Sequence, residues 1–244
     1  MNYLKVLVLT LFCYSLISCS KTEDGNKSNP KLKTIPSDIV KYFDIMDDIG
    51  SLHNEFLDSL YFITPKEDFK EDLTQAKFDE FIAYGKGFFD RRHLDYEADL
   101  DLLDRYESVL INQTYNYQND SLIPALYKAF LTDLVNAISI LPDTTSNINN
   151  LVDTYFINKV TTNNYSDSQI LILAKICGVA KYSYIYWHNN GMNWKKPVKS
   201  WFNPKYVELM INDASGAAMG TMLPGVGTAF GCAFFSAATA FAWD

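Results

Sequence analysis

Positive charge is the first thing this chain is short of. Its 21 Lys and Arg face 29 Asp and Glu, a formal charge of −8. Without a basic field, neither nucleic acid nor an anionic lipid surface is an electrostatic partner. Cysteine is also scarce: Cys13 and Cys19 fall at the start of the chain, so only Cys177 and Cys232 remain for the body. That allows one disulfide at most and excludes a disulfide framework. Histidine occurs only as His53, His93 and His188. None has a second His or Cys three or four residues on, so a metal site on a single helix is not expected. Phosphate-cradling loops, dinucleotide fingerprints and nucleophile elbows are missing as well, which leaves an enzyme reading without positive support. No cofactor is implied. Sustained two-residue alternation and Asn-Gly hairpins are absent, so strands are not expected.

What is present begins with the first twenty residues, MNYLKVLVLTLFCYSLISCS. One lysine, Lys5, precedes an apolar run from Val6 to Leu16, followed by the small Ser18. A core of about ten residues is too short for a bilayer span, which needs about twenty, and has the layout of a secretory signal. The residues Leu16-Ile17-Ser18-Cys19 resemble the lipobox of bacterial lipoproteins. That resemblance implies cleavage after residue 18, lipidation of Cys19 by palmitate-type chains, and a membrane partner held through that anchor. Burial of each acyl CH₂ stabilises attachment by about 0.8 kcal/mol. Ser20-Lys21-Thr22-Glu23-Asp24 is similar to the signal that sends some Gram-negative lipoproteins to the cell surface. The implied location is the cell envelope, as an outer-membrane and surface-exposed lipoprotein. Residues 20–36 lack periodicity and read as a flexible tether, spanning about 20 to 25 Å. Loss of residues 1–18 removes Lys5 and moves the formal charge from 21 − 29 = −8 to 20 − 29 = −9.

From residue 37 to residue 203 the spacing predicts an all-α, multi-helix bundle. Apolar residues at 39, 42, 46, 49, 56, 60 and 63 mark one stripe of a first helix starting near Ser37. Thr64-Pro65 ends it and offers a start for a second helix carrying Phe69, Leu73, Phe78, Phe81 and Phe88, closed by the turn Arg91-Arg92-His93. A third helix is expected over roughly 94–117 and a fourth over roughly 121–141. A shorter one runs through Val152 and Phe156, and an apolar one over about 168–188. The acidic run from Asp95 to Glu107 lacks the glycine and closing glutamate of a calcium loop and reads as a solvated helix face.

Two places invite a functional reading. His53 lies on the inward stripe of the first helix; it is either a hydrogen-bonded core residue or a site partner for Glu55 or a distant carboxylate. Trp187, Trp194 and Trp201 recur every seventh residue, yet Asn189-Asn190-Gly191 and Pro197 argue against one continuous helix across them. The rings either pack a loop onto the core or line a pocket with His53 and Glu55.

The carboxyl end is the most distinctive stretch. The thirty positions from 214 to 243 carry no charge, and glycine stands at Gly216, Gly220, Gly225, Gly227 and Gly231. Small residues four apart let two helix backbones approach closely. Leu223-Pro224-Gly225 interrupts the stretch with turn chemistry. A helical hairpin is expected, roughly 204–222 and 228–242. Its six strong inserters total only about −2 to −4 kcal/mol on the insertion scale, offset by five glycines and a proline, so unaided membrane insertion is near break-even. The segment 213–240 resembles glycine-zipper segments of bacterial envelope proteins and small membrane-active bacteriocins, and the whole layout is similar to bacterial lipoproteins with such tails. The resemblance implies a non-enzymatic envelope protein whose tail packs closely in self-association or at a membrane; the alternative is a tail that is simply buried core.

Overall fold

The computed structural model describes residues 36–65, 73–94, 97–112, 115–140, 147–194 and 204–220, together with residues 232, 235 and 237. Among these there are seven α-helices and no strand. They are α1 (Ser37–Ile63), α2 (Gln75–Asp90), α3 (Glu97–Ile111), α4 (Ala125–Ser139), α5 (Ile148–Thr162), α6 (Asp167–Trp194) and α7 (Pro204–Gly220). The leader, the tether, Cys19, Trp201, Gly225, Gly227 and Gly231 lie outside the described residues.

Most of the expected stripe of α1 is buried: Ile39, Tyr42, Met46, Phe56 and Leu60 face inward and Ile49 is partly buried, but Ile63 at the end of the helix is exposed. The helix stops at Thr64, whose backbone N–H and side-chain hydroxyl both donate to the Leu60 carbonyl, satisfying a terminal acceptor. Thr64 and Pro65 are not helical, residues 66–72 lie outside the described residues, and the next described helix starts later. Leu73 and Thr74 are not helical, Leu73 is buried ahead of the helix, and α2 starts at Gln75 with the Thr74 side chain accepting from the Lys77 N–H. A side-chain acceptor at the N-cap specifies the start more strongly than the proline spacing does. The close of α2 is as expected, a turn over Arg91–His93 in which His93 takes φ 55°.

Helix α3 ends at Ile111, short of the expected limit. Asn112 turns its amide back to the Ser108 carbonyl, and Asn116 accepts from the Gln118 N–H to open a separate 3₁₀ turn over Tyr117–Asn119. Asparagine side chains compete here with helical backbone bonding. Helix α6 differs the other way and continues through Asn189-Asn190-Gly191 to Trp194. One interior glycine disfavours a helix by about 1 kcal/mol, whereas burying a large aromatic ring contributes about 1.5 to 3 kcal/mol. Trp187 and Trp194 are both fully buried, with ring centroids 5.3 Å apart, so the helix holds.

Helix α6 is the axis of the bundle. It packs against α1 on one side and α7 on another, with α5 alongside; α4 packs on α7 and α5. Where α1 crosses α6, a Cβ built on Gly178 would stand 2.3 Å from the Met46 carbonyl oxygen, and one on Gly50 2.3 Å from the Tyr182 ring. Main chain therefore lies on main chain at this crossing. Within α6, the segment Asp167–Gly191 is long and apolar enough to cross a membrane by length and composition, and 67% of its most apolar window is buried by the other helices.

Candidate functional site

The interior of this bundle is not wholly apolar. His53, Ser183 and Asp213, on three different helices, are all fully buried. Asp213 is the last acidic residue before the uncharged tail, and its position in α7 turns it toward α6 and α1. Its Oδ2 accepts from the Ser183 hydroxyl and, at 3.1 Å, from the indole N–H of Trp187. His53 Nε2 stands 3.3 Å from the same oxygen, within ion-pair range but off the line of a hydrogen bond. The other ring nitrogen is oriented from α1: Nδ1 donates to Asn54 Oδ1 at 2.8 Å, and Asn54 Nδ2 donates to the Tyr182 carbonyl at 3.2 Å. One carboxylate thus takes two donors from α6 and faces the His53 ring of α1, the arrangement that makes a buried charge tolerable.

A serine, a histidine and an aspartate in contact invite comparison with a hydrolytic triad, but the connectivity differs. A nucleophilic serine gives its proton to histidine, and aspartate orients that histidine from behind. Here Ser183 donates to Asp213 itself, and all three groups are sealed from solvent. The constellation fastens helices together; its chemistry is hydrogen bonding, not nucleophilic attack.

The four residues singled out as a pocket do not all meet in one place. Glu55 lies two positions beyond His53 on α1, and residues so spaced do not share a helix face. Its side chain is half exposed and pairs with Arg92 at the end of α2. Trp194 sits on the far side of Trp187, packed at a tilt against Tyr61 at 5.6 Å and donating its N–H to Tyr186 Oη at 3.2 Å. Of the four, Trp187 and Trp194 pack ring against ring, His53 and Trp187 meet on Asp213, and Glu55 stands apart.

A second polar group spans α1, α5 and α6. Lys181 Nζ donates to Asp47 Oδ1 at 2.9 Å and Asp153 Oδ1 at 3.3 Å. Burial pushes the Lys181 ammonium down, but the hydrogen bond to Asp47 and the charge of Asp153 more than reverse this, leaving it above its ordinary value. Burial holds the Asp153 carboxyl up despite the facing lysine. Burial also raises Cys177 well above an ordinary thiol, which leaves it protonated and unreactive. Cys177 and Cys232 are buried thiols, not joined in a disulfide.

In the tail, the described residues Leu209, Met210, Ala214, Ala217, Ala218 and Met219 are buried, as are Gly216 and Gly220. A Cβ on Gly216 would stand 2.8 Å from Cys232 Cα, so this glycine admits the Cys232 main chain at backbone distance. Phe235 packs edge-on against Tyr115 at 4.8 Å and Tyr106 at 5.3 Å. The Tyr115 hydroxyl donates to Ser215 Oγ at 3.1 Å.

Sequence reasoning singled out His53 and, in the tail, Gly216, but missed Asp213 and Ser183 as partners of the histidine. The only local signal is that each is a polar residue in a largely apolar stretch of helix. Among the described residues, no group of three or more His, Cys, Asp or Glu side chains is placed to hold a metal ion. Comparison with protein families, with curated proteins and with solved structures finds no match for this chain.

Proposed function

We propose that this chain is a lipid-anchored protein of a bacterial cell envelope, of a non-enzymatic type, in which acyl chains on Cys19 hold it at the outer membrane and the Gly/Ala tail serves close helix packing within the helical domain. The observation that carries the tail's part in this is the approach of Gly216 to Cys232, together with burial of the described face of α7. Those contacts use the small-residue face inside the chain, leaving membrane attachment to the lipid. The anchor rests on the Leu16-Ile17-Ser18-Cys19 pattern and the short apolar run before it. The non-enzymatic reading is supported by the sealed His53, Ser183 and Asp213 group, whose bonding suits a fastening.

The test is a chain lacking residues 1–18 and carrying Cys19→Ala, compared with the full chain expressed in a lipoprotein-processing host. The full chain is expected to incorporate labelled palmitate and enter the detergent phase; the variant is expected to incorporate none and remain a monomer in the aqueous phase. Palmitate on the variant would remove the anchor assignment. An aqueous oligomer, or partition of the variant into detergent, would move the tail to self-association or to the membrane.

A further inference from the structure

Between the end of α3 and the 3₁₀ turn lies an open cleft of about 480 Å³, within the range of small-molecule sites. Its walls are apolar: Val109, Leu122 and Tyr115 line it and are each only partly buried. Its rim is polar: Arg105, Asn116, Asn119 and Ser121 are exposed around the same opening. The floor is fixed. Tyr106 donates to Asp120 Oδ2 at 2.5 Å, and Asp120 Oδ1 accepts from the Leu122 N–H at 2.8 Å, which holds the turn in shape.

Two features define what fits. The rim offers donors and acceptors together: a guanidinium, two carboxamides and a hydroxyl. A ligand matching them must itself both give and accept hydrogen bonds, while presenting an apolar face to the walls. The electrostatic setting is negative, because Asp104 and Glu107 flank Arg105 in α3, Asp120 lies in the floor, and the chain carries a formal −8. A lone guanidinium in such surroundings is a poor trap for an anion. A sugar ring meets both demands, with hydroxyls around its edge and C–H groups on its face.

We infer that this cleft is a binding site for a neutral saccharide of one or two rings. Arg105, Asn119 and Ser121 hydrogen-bond its hydroxyls, and Tyr115 meets its apolar face. The inner wall of the cleft is also the wall that holds the tail, through Tyr115 to Ser215 and through both tyrosines to Phe235. Occupancy therefore steadies the docked tail, because a ligand bound only by the folded arrangement shifts the equilibrium toward it. The site does not depend on the lipid anchor.

The experiment is saturation-transfer NMR on the full chain in a polyoxyethylene detergent, which carries no sugar head group. The probes are maltose, cellobiose and N,N′-diacetylchitobiose, with acetate as the anionic control. At least one disaccharide is expected to bind at millimolar concentration. Arg105→Ala and Asn119→Ala, both on the exposed rim, are each expected to weaken it about tenfold, which is about 1.4 kcal/mol, while leaving helicity unchanged. If either variant loses helicity, Ser121→Ala carries the same test. Silence from all three sugars, binding unaffected by the rim substitutions, or acetate binding that needs Arg105 while the sugars do not bind, each overturns the assignment. The result is independent of palmitate incorporation.

Discussion

Asp213 is where a single side chain does most to define this protein. It is a carboxylate enclosed by Ser183, Trp187 and His53 in a mainly apolar interior. Removing one partner of a buried polar group is more damaging than its net contribution suggests, because the donors left behind stay desolvated. Asp213→Ala is therefore expected to lower unfolding free energy by about 3 to 5 kcal/mol, read from the urea midpoint at unchanged m-value. Ser183→Ala removes one donor of several and is expected to cost about 1 kcal/mol. Equal effects of the two substitutions would mean that the carboxylate does not organise the cluster. The position of His53 on an inward stripe was legible in the sequence, since the three-four spacing of its neighbours fixes the face. Its partner was not, because nothing local links α1 to a residue on α7, and the nearer Glu55 drew the eye.

At the scale of elements, glycine at helix crossings decides which pairs approach. Replacing a helical glycine by alanine ordinarily stabilises by up to about 1 kcal/mol, so the sign of the change reports the space available. Gly178→Ala drives a methyl into the Met46 main chain and Gly216→Ala drives one into Cys232 Cα. Both are expected to destabilise, by about 1 to 3 kcal/mol or more, through backbone displacement. Gly87 is the control, because its added methyl would meet only the Arg91 side-chain end at 3.4 Å. Gly87→Ala is expected to be neutral or mildly stabilising in thermal melts. Loss of stability at all three positions would remove the close-crossing argument. Gly216 was readable from its company of small residues. Gly178 and Gly50 were not, because each is isolated among larger side chains and only the tertiary crossing reveals its use. The same holds for α6, where Asn-Asn-Gly is a sound local stop signal that two buried indoles override.

For the molecule as a whole, buried tyrosines set the alkaline limit. Tyr106, Tyr115, Tyr155 and Tyr186 are all pushed well above the ordinary phenol value of 10.0, in each case chiefly by burial. A raised folded-state value means that the native chain keeps protons that the unfolded chain releases. The stability this confers is fully present below pH 10 and is lost as pH rises beyond it. The slope is about 1.4 kcal/mol per pH unit for each proton retained only by the native state. Unfolding free energy is expected to be flat with respect to these groups at neutral pH and to fall steeply above pH 10, with phenolate absorbance appearing at the unfolding step. Phenolate formation at these four tyrosines in the native baseline would contradict this. Burial of Cys232 makes a second global test. A maleimide is expected to leave this thiol unmodified in the native protein and to react once urea unfolds it, whereas rapid native labelling would place the tail outside the bundle.

The hydrogen bond from the Trp187 indole to Asp213 gives the protein an intrinsic optical gauge. An indole enclosed by α6 and α7 emits toward the blue, and one opened to water emits toward the red. Withdrawal of α7 strips Trp187 of its carboxylate acceptor and exposes it, so the colour of fluorescence tracks tail docking without any attached dye.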